Sequence, residues 1–289
     1  MLALSELAPS LRREAAGDSW PLLDADPWPV PGLYIALRGE TLRGATWAQR
    51  QPGNTAMFWR PQLLGSEPIT TARRLAVAAI QDLDNSTIGM AQVLLPSQNA
   101  DGVPLLKGVG FRHLADLLYL SCEADCYPSS APKSTHIEFV PYDESQLGRF
   151  MLLIERTYEG TLDCAALNGM RQMVEVVAGY RSTGVFRPEN WLVVRGGGQD
   201  AGVLMLADHP AAGHWELVYM GLVPEARGRG WGRKIARHAQ SLARAANVER
   251  IVTAVDATNE PALRMYCAVG FQLWDRRTVL VRFRATSQP

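Results

Sequence analysis

No charge of either sign dominates this chain. Its 29 lysines and arginines balance 29 aspartates and glutamates, for a formal net charge of zero. A surface without a one-sign excess is unsuited to wholesale attraction of nucleic acid or an acidic membrane, and neither partner is expected. Cysteine is scarce: four in 289 residues cannot make a disulfide framework. Cys122 and Cys126 are the one close pair, and no second pair or nearby histidine completes a zinc site, so no metal is expected. The five histidines are scattered and read as ordinary surface or core residues. Apolar runs reach strand length and no further, which excludes a membrane-spanning helix. Residues 1–16 are interrupted by Glu6, Arg12, Arg13 and Glu14 and lack the apolar stretch of a secretory leader. Leu4, Leu7 and Leu11 suggest an amphipathic first helix instead. A reducing cytoplasm is the expected location.

What is present is a chain long enough for two domains, with a hydrophobic content of 47% to fill their cores. Its most informative stretch is Val223-Pro224-Glu225-Ala226-Arg227-Gly228-Arg229-Gly230-Trp231-Gly232-Arg233. An apolar run, Leu217 to Val223, leads into it, and an amphipathic helix, Arg233 to Ala246, follows. A strand that ends in a glycine-rich turn and opens a helix can hold phosphate. Glycines let several N–H groups point inward, and the helix N-terminus adds partial positive charge. Arg227, Arg229 and Arg233 add cations. No Gly-Lys-Ser/Thr follows, so a Walker-type loop fails, and alternate glycines at 228, 230 and 232 do not match a dinucleotide fingerprint. A plain surface turn rich in glycine and arginine remains the bland alternative.

A second motif narrows the choice. Asn259-Glu260-Pro261-Ala262-Leu263-Arg264-Met265-Tyr266-Cys267-Ala268-Val269-Gly270-Phe271 reads as a short helix, with Asn259 as N-cap, Pro261 in the first turn and Gly270 as the stop. Arg227-x-x-Gly230-x-Gly232 resembles the acetyl-CoA pyrophosphate loop of the GCN5-related N-acetyltransferases (GNAT superfamily), and the second motif resembles that family's Asn-x-x-Ala-x-x-x-Tyr-x-x-x-Gly-Phe segment. The resemblance covers most of residues 134–289. It implies a mixed α/β fold with a mixed sheet, and acetyl-CoA as co-substrate without a metal.

Residues Cys126 to Ser134, with Pro128 and Pro132, look like a linker. The halves on either side compare at a fixed offset of 160 residues. Asn99, Gly110 and Phe111 fall on Asn259, Gly270 and Phe271. Met90–Leu95 falls on Arg250–Val255, Thr55–Pro61 on Trp215–Gly221, and Thr70–Asp82 on Gly230–Leu242. One offset for several segments indicates an internal duplication. Two tandem GNAT-like domains are therefore expected, at residues 1–128 and 134–289. Opposite the glycine-rich turn the first copy has Glu67-Pro68-Ile69-Thr70-Thr71-Ala72: no glycine, a proline without an amide donor, and a carboxylate that repels phosphate. Leu106 stands opposite Tyr266. The first copy reads as degenerate, suited to shaping one wall of a cleft. Mycothiol synthase has a similar tandem arrangement, a likeness of architecture alone.

The implied chemistry needs a neutral amine, although an alkyl ammonium with a pKa of about 10.4 is almost fully protonated at pH 7. A proton acceptor, an oxyanion donor and a donor for the leaving thiolate are all required. The resemblance assigns pantetheine to the strand at Met220, Gly221 and Leu222, and pyrophosphate to the turn from Arg227 through Gly228, Arg229, Gly230, Trp231 and Gly232 to Arg233. It makes Tyr266 the donor to sulfur, against a plain core role on one helical face with Ala262 and Val269. Asn259 caps its helix, contacts the coenzyme, or does both. Glu216 stands where some family members carry a base, while others use a water chain, and a strand side chain faces solvent as readily as a site. Tyr219, Asp208, His209 and His214 are further pocket candidates. Glu155, Glu159 and Asp163 suit attraction of a cationic amine, or simply form a solvated acidic loop. The expected function is transfer of acetyl to a small-molecule primary amine by the C-terminal copy. A protein acceptor and an acyl-CoA sensor without turnover are the alternatives.

Overall fold

The computed structural model describes residues 30–96, 102–129 and 136–284. The helix expected around Leu4–Leu11, Asn99 and the linker from residue 130 lie outside them. The chain divides into two compact units, residues 115–277 and the remainder on either side. This division differs from borders at 128 and 134, because the last strand of each sequence half is exchanged. β5 (Arg112–Glu123) pairs antiparallel along residues 117–123 with β10 (Arg250–Asp256) in the second unit. β11 (Gln272–Phe283) starts in the second unit and runs into the first, where Arg282 clasps Asp84 at 2.6 and 2.8 Å.

In the first unit, β1 (Leu33–Arg38), β2 (Thr41–Gln51) and β3 (Thr55–Leu63) form an antiparallel meander. Helix α1 (Ile69–Asp84) then crosses over to β4 (Met90–Pro96), which pairs parallel with β3. Helix α2 (Val103–Lys107) leads into β5. Ala72, Leu75, Ala76, Ala79, Ile80 and Leu83 recur at helical spacing and bury one face of α1. Ala76, Ala79, Ile80 and Leu83 share a core cluster with Phe58, Val93, Leu106, Phe111 and Leu280. Glu67, which stands opposite Arg227 at the 160-residue offset, is held by Arg38 at 3.0 Å and Arg43 at 3.6 Å, with its side chain only 6% exposed. An internal carboxylate thus occupies the turn position that carries an arginine in the other unit.

The second unit orders its strands β5, β10, β9, β8, β7, β6 across the sheet. These are β6 (Glu138–Pro141), β7 (Trp191–Gly196), β8 (Gln199–His209) and β9 (His214–Leu222), with β10 parallel to β9 and the other neighbours antiparallel. Its helices are α3 (Leu147–Tyr158), α4 (Met173–Arg181), α5 (Trp231–Ala245) and α6 (Glu260–Cys267). Helix α4 starts late in the segment that follows α3. Cys164 (φ 45°) and Gly169 (φ 72°) sit in the left-handed region, and Gln172 is extended, so the helix starts at Met173. On α5, Ala236, Ala239 and Ala243 keep the buried face small, so the helix lies close on the sheet. Gln240 on that face is fully buried, and its Nε2 donates to the Val269 carbonyl at 2.7 Å, fastening α5 to the turn at Gly270.

The offset holds at the level of elements. β10 begins 160 residues after β4, and β11 begins 160 residues after β5, with equal lengths in each pair. Leu106, opposite Tyr266, is fully buried among apolar side chains. Leu106→Ala should cost about 2–5 kcal/mol of first-unit stability, read as a lowered denaturant midpoint. Coenzyme affinity of the second unit should be unchanged.

Candidate active site

Strands β9 and β10 pair only at Trp215↔Ile251 and Glu216↔Val252. Beyond these two pairs they part, and a cavity of about 810 Å³ opens between them. One wall is Leu217 to Leu222 of β9; the other is Thr253, Ala254 and Val255 of β10. A bulge marks the parting: β8 pairs Met205 with Tyr219 and Leu206 with Leu217, which leaves Val218 outside the ladder. Thr253 Oγ1 donates to the Leu217 carbonyl at 3.0 Å and fixes the apex of the split. Gly221 is required by space: a Cβ there would lie 2.6 Å from the Tyr219 phenol oxygen and 2.8 Å from Thr157 Oγ1.

At the open end, Gly228 (φ 74°) and Gly230 (φ 72°) take left-handed conformations that L side chains rarely adopt. They curl the chain into α5, whose first turn carries no acidic residue and whose N-cap provides no side-chain bond. The amides of that turn are the orphan donors every helix start leaves, and the residues that carry them, Trp231, Gly232 and Arg233, line the cavity rim. Arg233 is exposed, lines the rim and has no ion-pair partner among the described residues. Arg264 of α6 also lines the rim, paired with Glu260 at 3.3 Å.

The structure brings Met220, Gly221, Leu222, Arg227, Gly228, Gly230, Trp231, Gly232, Arg233, Asn259, Tyr219 and Tyr266 to this one cavity. Asn259 is the N-cap of α6, its Oδ1 accepting from the Ala262 amide at 3.3 Å. Tyr266 is buried at the inner end, with the Thr253 hydroxyl as its side-chain partner. Burial, and then the nearby Asp163 charge, push the Tyr266 phenol well above its ordinary value, so it keeps its proton at any physiological pH.

Several residues expected at the site lie outside this cavity, and Arg227 lines it with its guanidinium already bonded. Glu216 does not line the cavity; its carboxylate meets His209 Nε2 at 3.0 Å, and that contact raises the imidazole's affinity for a proton. Strand alternation directs it away, and the bulge that turns later residues inward begins only at Val218. Arg229 does not line the cavity either; its guanidinium lies 5.5 Å over the Trp231 ring. Arg227 does line it, but donates to three carbonyls, Leu222 at 3.0 Å, Gly160 at 3.2 Å and Thr157 at 2.9 Å. It acts as a clamp between the end of β9 and the end of α3. Asp208 pairs with Arg187, and His214 stacks on His209; neither reaches the cavity. Glu155 and Glu159 are exposed outside it.

Asp163 does reach it. The loop after α3 spans the split: Arg227 holds it beside β9, and Asp163 holds it beside β10. Asp163 Oδ1 accepts from the Asp256 amide at 2.8 Å, and Asp256 Oδ2 accepts from the Cys164 amide at 3.1 Å. Reciprocal contacts over more than 90 residues of sequence leave no local signature. Thr157, Thr253 and Arg264, unlike Asp163, were not singled out by sequence, each being an ordinary helix or strand residue until the split is seen. Among the described residues no group of three His, Cys, Asp or Glu side chains is disposed to hold a metal. No helix among them is long and apolar enough to cross a membrane.

The family model described as the acetyltransferase (GNAT) family matches residues 154–271, which span the whole cavity. The second unit carries a GNAT acyltransferase domain. Across both units the fold is similar to that of a GCN5-related N-acetyltransferase from Sphaerobacter thermophilus, at 14% identity and TM-score 0.61, covering 97% of this chain and 86% of that one. A tandem GNAT protein from the clavulanic acid biosynthesis pathway is similar over 89% of this chain and 85% of its own, at 14% identity and TM-score 0.54. A glucosamine N-acetyltransferase region of a fungal multi-domain β-N-acetylglucosaminidase matches 83% of this chain and 32% of that one, at 15% identity and TM-score 0.61. At these identities the likeness is one of fold. No curated protein sequence matches the chain. The mixed α/β architecture with tandem GNAT-like halves stands, and the GNAT domain is that of an acyltransferase.

Burial raises the Asp163 carboxyl above the ordinary carboxylate range, the Asp256 charge adds to the effect, and the Asp256 amide opposes it. A carboxyl raised in the folded state costs stability in full above its folded pKa, and that cost falls progressively as pH drops from the folded pKa to the ordinary carboxylate value. Asp163→Asn keeps an oxygen for the Asp256 amide while removing the charge. Its melting temperature at neutral pH should exceed that of the wild type, and the difference should shrink as pH is lowered through the raised carboxyl pKa. Paired thermal melts along a pH series check this.

Proposed function

We propose that the second unit transfers acetyl from acetyl-CoA to the primary amine of a small molecule, with the first unit as a degenerate copy that binds no coenzyme. The observation that carries this reading is the split between β9 and β10, which opens onto the uncapped first turn of α5. Acetyl-CoA, when bound, supplies an activated acyl carbonyl. The orphan amides at Trp231, Gly232 and Arg233, with the Arg233 guanidinium, suit a diphosphate. The free edge of β9 at Met220, Gly221 and Leu222 suits an amide-bearing chain that pairs as an added strand would. Asn259 borders the same groove while capping α6.

The chemistry then falls to few groups. Val218, released from the ladder by the bulge, offers a backbone N–H where negative charge develops on the carbonyl oxygen. Tyr266, whose phenol stays protonated, is the donor available to a departing thiolate. Glu216 has no part in this reading, since its carboxylate is engaged outside the cavity. The degenerate role of the first unit is supported by Glu67 where the second has Arg227, by Pro68 in the turn, and by a buried leucine in place of Tyr266.

The test is thiol release from acetyl-CoA in the presence of a panel of small primary amines. Tyr266→Phe should lower turnover by about 100-fold or more while coenzyme affinity holds. Gly230→Glu should abolish both, because it places a strained side chain and a negative charge in the phosphate turn. Equal turnover by Tyr266→Phe would remove the tyrosine from the mechanism. Saturable coenzyme binding with no product from any amine would favour a sensor.

A further inference from the structure

We infer that Asp163 anchors the ammonium of the acceptor and takes its proton, so that the acceptor is a small primary amine that arrives as a cation. This rests on the acyltransferase reading of the same cavity. Asp163 lines the cavity with Thr157, Tyr219 and Tyr266. Its Oδ1 accepts one amide, that of Asp256, and its own N–H donates to Thr161 Oγ1. Its second carboxylate oxygen carries no hydrogen bond, and no lysine, arginine or histidine pairs with it among the described residues. A largely buried carboxylate without a counter-cation is expensive to keep charged. Sites that bear this cost are commonly functional.

No cation acts on Asp163 itself; the positive charges nearest in this neighbourhood are Arg171, which acts on Tyr158, and Arg227, which acts on Tyr219 while its guanidinium is bonded to carbonyls. From β10 comes the Asp256 carboxylate; from its own loop, the Cys164 thiol. From α3, α4, β9 and α6 come the phenols of Tyr158, Tyr180, Tyr219 and Tyr266, each pushed upward in part by the Asp163 charge. Among these phenols the Asp163 carboxylate has no cation bonded to it, and an ammonium in the cavity would supply one. Tyr219, stacked on Tyr180 and edge-on to Tyr158, adds an aromatic wall beside it. The raised carboxyl is displaced in the direction a proton acceptor needs. In the step itself an N–H bond of the ammonium breaks, an O–H bond forms on Asp163, and the electron pair stays on nitrogen for attack on the acyl carbon.

The test uses n-butylamine and phenethylamine, each compared with the alcohol of the same carbon skeleton. They are titrated calorimetrically into the full chain and into Asp163→Asn, with CoA present. The amines should bind wild type about 10- to 100-fold more tightly than the alcohols, the factor a charge-assisted hydrogen bond carries. Asp163→Asn should lose that preference while binding acetyl-CoA as the wild type does. Amine affinity of the wild type should fall as pH drops through the raised carboxyl pKa, and that of Asp163→Asn should stay flat. Equal binding of amine and alcohol, unchanged amine affinity in Asp163→Asn, or no amine binding by a protein that binds acetyl-CoA would each overturn the assignment. Failure of the wild type to bind acetyl-CoA would overturn the transfer reading, and this one with it.

Discussion

Where β9 leaves β10 after Glu216 and Val252, backbone polar groups in the middle of a sheet lose their ladder partners. Each such group left dry costs about 1–3 kcal/mol, so a split of this kind persists only if something repairs it. Thr253 closes the apex through the Leu217 carbonyl, Arg227 takes the Leu222 carbonyl, and the groups between are left for a ligand. The bulge at Val218 belongs to the same device, because it bends β9 away from the partner it has just released. Both cores of the second unit border this opening: α5 and α6 pack on one side of the sheet, α3 and α4 on the other.

A split sheet also needs its two lips held at a fixed width. The loop after α3 does this with backbone and carboxylate contacts, anchored by Arg227 at one lip and by the Asp163–Asp256 exchange at the other. Using an arginine as a clamp and a carboxylate as a strap leaves the rim with few free charges. Arg233 remains for an anion, and one oxygen of Asp163 for a cation.

Much of this was legible in the sequence because it is local. The left-handed glycines, the uncapped α5 and the Asn259 cap each need only a few neighbouring residues, and a duplicated chain keeps its element spacing. What was not legible depends on distance or on direction. Glu216 faces away from the cavity because a bulge two residues later sets which way β9 turns. Arg227 looks like a phosphate ligand until the carbonyls of Thr157 and Gly160 are brought beside it from 70 and 67 residues away. The exchange of β5 and β11 between units moves both borders, and no composition shift marks it. Asp163 is one of three acidic residues spread over the end of α3 and the loop after it, and burial distinguishes it from Glu155 and Glu159.

The proposed function requires that one split sheet, in one of two related units, holds an acyl coenzyme. Calorimetric titration of the full chain with acetyl-CoA tests it most directly, through stoichiometry. One site per chain, lost when Gly230 is replaced by glutamate, is the predicted result. Two sites would contradict the degenerate reading of the first unit, and no binding at all would contradict the account of the split.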